Sequence, residues 1–203
     1  MNVYVESNFV LELAFVQEEH GACEEILRAC ESGRIRLILP AYSLMEPVET
    51  ARRRQINHER LREDLEDRLR ELTRSEVYKT RIPAIRRAGL LLVEGSADDV
   101  RRLQTVRSRV LGCAELIPLE RSILGNAVGH QDRHELSVQD SVVYASVLSH
   151  LERTGEPACF LSRDVDFNTL AIKGELAARS CRLISRFETG LQFIRRPPPE
   201  GTR

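Results

Sequence analysis

Five acids in this chain have the types and neighbours that could do chemistry: Glu6, Glu46, Asp140, Asp164 and Asp166. Glu6 ends a short β-branched run and is followed by Ser7 and Asn8. Glu46 lies early in a helical segment starting at Ser43, and Asp140 opens another that is apolar as far as Leu148. Asp164 and Asp166 come just after the apolar run "ACFLS". Carboxylates forced together raise one another's pKa unless a cation neutralises them, so three or four at one place imply a bound ion. Hard oxygen ligands favour Mg2+ or Mn2+, held through one or two carboxylates plus waters and phosphates. Two such ions about 4 Å apart can activate a water and stabilise the leaving oxygen of a phosphodiester.

Local stability offers a competing account. Ser43-x-x-Glu46 and Ser137-x-x-Asp140 both match a capping box, and Asp166 suits the N-cap of a helix starting at Phe167. Capping does not explain Glu6 or Asp164, each of which stands just after a strand.

The elements that must bring these acids together follow from the hydrophobic pattern. Strand character from Val3 to Glu6 passes directly into the helical "NFVLELAFV", and a second helix runs from about Glu18 to Glu31 and closes at Ser32 and Gly33. "RIRLILP" is a strand ended by Pro40. From about Arg52 the chain is dense in both signs, with Leu61, Leu65, Leu69 and Leu72 forming one apolar stripe. "ADDVRRLQTVRSRVLG" reads as a second such helix, so residues from about Arg52 to Gly112 are expected to form an inserted helical hairpin. "AELIPL", "ACFLS" and "CRLI" are further strands separated by helices. Strands alternating with helices indicate a parallel sheet covered on both faces. Ligands of such sheets sit outside the carboxyl ends of the strands, which is where the acids are expected. Residues 1–195 are read as a single domain, and the proline-rich 196–203 as a disordered tail.

Bulk composition narrows the classes. Thirty basic against thirty-one acidic side chains leave no global positive field to attract nucleic acid or anionic lipid. Any polyanion must be held locally. Arg163, between strand and acid, is the expected contact to a phosphate backbone, and His130, Arg133 and His134 in "GHQDRHE" lead toward Asp140 and could touch substrate too. The two histidines are four apart and would make half of a zinc site on a helix, but Gly129 and the Ser137 cap suggest a loop. Five scattered cysteines without a C-x-x-C pair read as reduced core residues. With no leader-like N-terminus and no run of about 20 apolar residues, the expected location is the cytoplasm, away from membranes. Nucleotide-binding glycine loops and the G-x-S-x-G elbow are absent from the sequence.

"VYVESNFVLELAF", "PAYSLMEPVET", "LSVQDSVVYASVL" and "CFLSRDVDFN" together resemble, in order and context, the PIN-domain nucleases, a family of metal-dependent ribonucleases that includes many bacterial toxins. The family pattern falls on Glu6 with Asn8, Glu46, Asp140, and Asp164 to Phe167. The resemblance implies a three-layer α/β/α sandwich with a mainly parallel sheet, Mg2+ or Mn2+ at Glu6, Glu46, Asp140 and Asp164, and cleavage of single-stranded or structured RNA. Asp164 is favoured over Asp166 as main ligand, with Asn8 positioning Glu6 or the ion. A homodimer or an antitoxin-type partner is also implied. Two features depart from the pattern. The first acid is usually aspartate, so Glu6 either preserves coordination or moves the ion by a methylene; and the hairpin lengthens the chain. A catalytically inactive RNA-binding or protein-interaction module is the alternative expectation.

Overall fold

The structure is a computed structural model and describes residues 1–195. The expected disordered tail, 196–203, lies outside the described residues. Five short strands, β1 (Asn2–Val5), β2 (Arg36–Pro40), β3 (Glu115–Ile117), β4 (Ala158–Leu161) and β5 (Cys181–Ile184), form one sheet in the order β3-β2-β1-β4-β5. Every pairing is parallel; Tyr4, for instance, stands opposite Ile38 on one side and Phe160 on the other. The eight helices are α1 (Ser7–Phe15), α2 (His20–Glu31), α3 (Ala41–Leu72), α4 (Ile82–Cys113), α5 (Arg121–His134), α6 (Val138–Thr154), α7 (Leu170–Ala177) and α8 (Phe187–Arg195).

Strand side chains alternate between two cores because successive residues point to opposite faces. Val3, Val5, Leu37, Leu39, Cys159 and Leu161 pack with residues of α1, α2, α4 and α8. Tyr4, Ile38, Ile117, Ala158 and Phe160 pack on the other face with α5, α6 and α7. This is the three-layer α/β/α arrangement. With both faces covered, β4 is apolar throughout and β1 and β2 are apolar after their first residues, Asn2 and Arg36, instead of alternating with polar residues.

Helix α8 approaches the sheet closely enough to require glycine. A Cβ on Gly190 would stand 2.6 Å and 2.8 Å from the two methyl carbons of Leu161, which is itself fully buried.

The charged hairpin is longer than its sequence suggests. Helices α3 and α4 have 32 residues each, about 48 Å of helix apiece, and α4 starts at Ile82, not at the "ADDV" segment. Gly89 and Gly95 lie inside it. Each glycine costs a helix about 1 kcal/mol, and packing against α3 offsets this: the Cβ position of Gly89 lies 3.4 Å from Leu65. His58 Nδ1 is 3.0 Å from the Leu92 carbonyl, Arg86 pairs with Glu66 at 3.1 Å, and Arg54 with Asp99 at 3.3 Å. The last turns of α4 do not project. Leu103, Val106 and Val110 belong to the core beneath β1 and β2. Within the leucine stripe Leu69 is buried, whereas Leu61 and Leu72 are exposed.

Two further boundaries differ from expectation. Segment 129–134 is the end of helix α5, not a loop; Glu135, in the left-handed region at φ 54°, ends it. Helix α7 begins at Leu170 with Thr169 as its cap, so Asp166 caps nothing.

Replacing Gly190 by alanine is expected to destabilise the protein by about 1–3 kcal/mol through overpacking, read from the midpoint of urea unfolding. Part of that loss should return in a Gly190→Ala/Leu161→Val double variant, because the shorter side chain makes room. An unchanged midpoint in the single variant would mean that α8 can move off β4 freely.

Candidate active site

The carboxyl edge of the sheet collects acids from four places. Glu6 follows β1 and occupies the N-cap position of α1; Glu46 is in the second turn of α3, which follows β2 without a break. Asp164 comes three residues after β4. Asp140 is in the first turn of α6, which leads down into β4 and so starts at this same edge. Asp164 and Glu46 each oppose ionisation of both Glu6 and Asp140, and Asp166 also acts on Asp140. The five acids thus lie near enough to influence one another's charge.

Glu6 is held by its surroundings on both oxygens. Oε2 accepts the main-chain N–H of Asn8 at 2.7 Å, and Oε1 accepts the hydroxyl of Ser162 at 3.1 Å. Burial pushes its pKa from 4.5 up to about 8, with Asp164 and Glu46 adding to the rise and the two hydrogen bonds opposing it. Its surroundings thus favour the protonated carboxyl over the carboxylate. Asp140 is raised as well, first by burial and then by the neighbouring acids, against the Ser137 hydroxyl bond that favours its charge.

The capping account fits part of this pocket. Ser137 does cap α6, accepting the Asp140 N–H at 3.1 Å, and its hydroxyl lies 2.5 Å from Asp140 Oδ2. The Asp140 side chain thus stays beside Ser137 and faces the other acids. At Glu46 the capping box does not form. Helix α3 starts two residues before Ser43, whose buried hydroxyl has no partner among the described residues, and Glu46 instead accepts the hydroxyl of Ser7 from α1. Asp164 accepts the main-chain N–H of Asp166 at 2.9 Å, while its own N–H donates to Ser162 at 3.1 Å. That pair of bonds sets the loop after β4.

None of Glu6, Glu46, Asp140, Asp164 or Asp166 is in an ion pair with a basic side chain among the described residues. Other buried or half-buried acids are paired: Glu12 with Arg163, Glu19 with Arg186, Glu24 with Arg109. An all-oxygen, unneutralised donor set is the chemistry that Mg2+ or Mn2+ takes. No three of these carboxylates have oxygens within 4.8 Å of one another, a spacing met among the described residues by His130, His134 and Glu175 instead. A wider ring suits an ion that keeps several of its waters.

Several expected residues have other partners. The side chain of Arg163 reaches Glu12, a fully buried acid, and Glu18 at 3.3 Å. Together with Asn8, Val16 and Gln17 they line a cleft beside the acids. Asn8 holds Glu6 through its main chain, not its amide. His130 and His134 lie on α5 and face Tyr144 and Glu175; Arg133 is exposed on the same turn, 4.0 Å from Glu175. Conversely, Ser7, Ser162 and Tyr42 contribute to the pocket without having stood out in the sequence. Tyr42 has its pKa raised by burial and by Glu46 and Asp140. Ser7 and Ser162 each adjoin an acid motif, and a hydroxyl that close to a strand-end acid is the signal that points to them.

Among known families, the PIN domain matches, over residues 3–167. No curated protein and no solved structure matches the chain.

Glu6 binds its proton more tightly folded than unfolded, so its contribution to stability is complete below pH 4.5 and is lost as pH rises through about 8. Thermal midpoints of the wild type measured from about pH 5 to pH 9 are expected to fall relative to those of Glu6→Gln, which lacks the titrating group. Parallel curves for the two proteins would show that Glu6 ionises without penalty.

Proposed function

The chain belongs to the PIN-domain family, whose members are generally nucleases, and from that premise we propose that it is a metal-dependent endoribonuclease. The carrying observation is the pocket of acids from four separate elements with no basic side chain to neutralise them. In this reading Glu6, Glu46, Asp140 and Asp164 hold one or two Mg2+ or Mn2+ ions, and Asp166 stands by as a further ligand. A divalent ion bound there supplies Lewis-acid polarisation of the phosphodiester and lowers the pKa of water.

The chain's own residues prepare that chemistry. Ser162 and the Asn8 N–H fix both oxygens of Glu6 before any ion binds, so little ordering remains to be done. Ser7 fixes Glu46 and Ser137 fixes Asp140 in the same way. A divalent cation held there would favour the ionised form of Glu6, offsetting the burial that favours the protonated one. Arg163, at the rim, is placed to meet the RNA backbone by exchanging its exposed partner Glu18 for a phosphate while keeping Glu12. Residues 1–195 act as one domain in this reading. The exposed leucines of the hairpin are the surface offered to a second copy or to an antitoxin-type protein. Five unpaired cysteines fit a reducing, cytoplasmic setting; no helix among the described residues is long and apolar enough to cross a membrane.

A second reading is an inactive RNA-binding or protein-interaction module. It is favoured by Glu6, a longer acid than is usual at this position and one kept protonated by burial.

The two readings separate on one variant. Asp140→Asn is expected to lower Mn2+-dependent cleavage of a mixed single-stranded RNA by on the order of a hundredfold or more, with circular dichroism and thermal midpoint near those of the wild type. Equal cleavage by the variant would remove Asp140 from the site, and no cleavage by either protein with Mn2+ bound would favour the inactive module.

A further inference from the structure

Away from the acid pocket, helices α5, α6 and α7 enclose a second cluster. His130 and His134 are one helical turn apart on α5, their rings stacked with centroids 5.7 Å apart. Glu175 comes across from α7, its Oε2 lying 3.1 Å from His134 Nε2. Ligand atoms of all three residues lie within 4.8 Å of one another. Nδ1 of His130 is buried and has no hydrogen-bond partner among the described residues. Buried polar atoms without a partner are uncommon, and each calls for one.

We propose that His130, His134 and Glu175 form a binding site for a divalent transition ion, zinc by its ligand chemistry, that ties α7 to α5. Two histidines at i and i+4 on one helix with a carboxylate from another element are an established donor set for zinc, leaving a fourth position open. In tetrahedral zinc sites with Zn–N of about 2.0–2.1 Å, donor atoms stand about 3.4 Å apart. The His134–Glu175 pair is already inside that spacing, and the third donor has to close by about 1.4 Å or less.

The remaining contacts fit an outer ring. Tyr144 donates its hydroxyl to Glu175 Oε2 at 2.8 Å, fixing the carboxylate as partners of metal ligands do. Arg179 at 3.7 Å and Arg133 at 4.0 Å stand at the other oxygen, Oε1. They weaken the site's negative charge without covering Oε2, which lowers its affinity for a cation. Burial lowers the pKa of His130 from its ordinary value. An open cleft of about 320 Å3, lined by His130, Arg133, Ser149, Glu175 and Arg179, gives the ion a way in. Oxygen-only ions prefer the acid pocket, so the two places sort metals by ligand softness.

Zinc chloride titrated by calorimetry into full-length Asp140→Asn, in excess Mg2+, tests this independently of the nuclease reading. One zinc per chain is expected, with a raised thermal midpoint by mass action. His130→Asn and Glu175→Gln in that background are expected to weaken binding at least about tenfold. The His130 ring packs on His134 and Tyr144, so the metal-free midpoint of each variant is measured beside its zinc affinity, and the rise in midpoint with zinc is what should shrink. Absence of saturable zinc binding, or equal affinity in both ligand variants, overturns the proposal and leaves a hydrogen-bonded histidine pair.

Discussion

Acids crowded at the carboxyl edge of the sheet resist one another's charge, and the structure around them is arranged to hold them there regardless. Four of the five are anchored by a neighbouring hydroxyl or main-chain N–H, and none by a basic side chain among the described residues: Ser162 and the Asn8 main-chain N–H at Glu6, Ser7 at Glu46, Ser137 at Asp140, the Asp166 main-chain N–H at Asp164. Such groups orient a carboxylate while leaving its charge uncompensated. The energy that tolerates this comes from elsewhere, from two apolar layers packed on both faces of a fully covered sheet.

Glu19 shows what the alternative looks like. It is about as inaccessible as Glu6, and burial pushes its pKa upward too. There the bond from Arg186 at 2.8 Å and the main-chain N–H groups of Phe187 and Glu188 outweigh burial and hold it below the usual carboxylate range. Glu19 thereby fastens α8 across the edge of the molecule. Two buried glutamates thus differ in role because one faces a guanidinium and a helix N-terminus and the other faces acids. Arg163 repeats the pattern with Glu12, and it stands between the two regimes, neutralising an acid next to the pocket without entering it.

The hairpin is tied to the same core. Helix α4 ends in the layer under β1 and β2, so the arm cannot move as a separate body at its base. Its outer part depends on α3 alone, through pairs such as Arg86 with Glu66 and the close passage of Gly89 over Leu65. Exposed Leu90 and Leu91 sit there, where a partner could reach them.

Alternating strands and helices, the place of each acid relative to a strand end, and the order of the four motifs were all legible in the chain, because side-chain periodicity and turn residues are local properties. Local signals misled where a distant element supplied the missing energy. The "ADDV" segment suggested a late start for α4, and Gly129 suggested a loop, yet packing on α3 and α6 carries both helices through. Glu12 is buried with Arg163, 151 residues away, as its counter-charge, which no local signal indicates. The hydroxyl partners of the acids, and Glu175 opposite His134, come from across the fold. The sequence by itself determined which residues could bear charge and which elements would carry them. Only the tertiary structure decided which charges meet a counter-charge, because electrostatic partners are set by distance in space, and burial multiplies the consequence of each pairing.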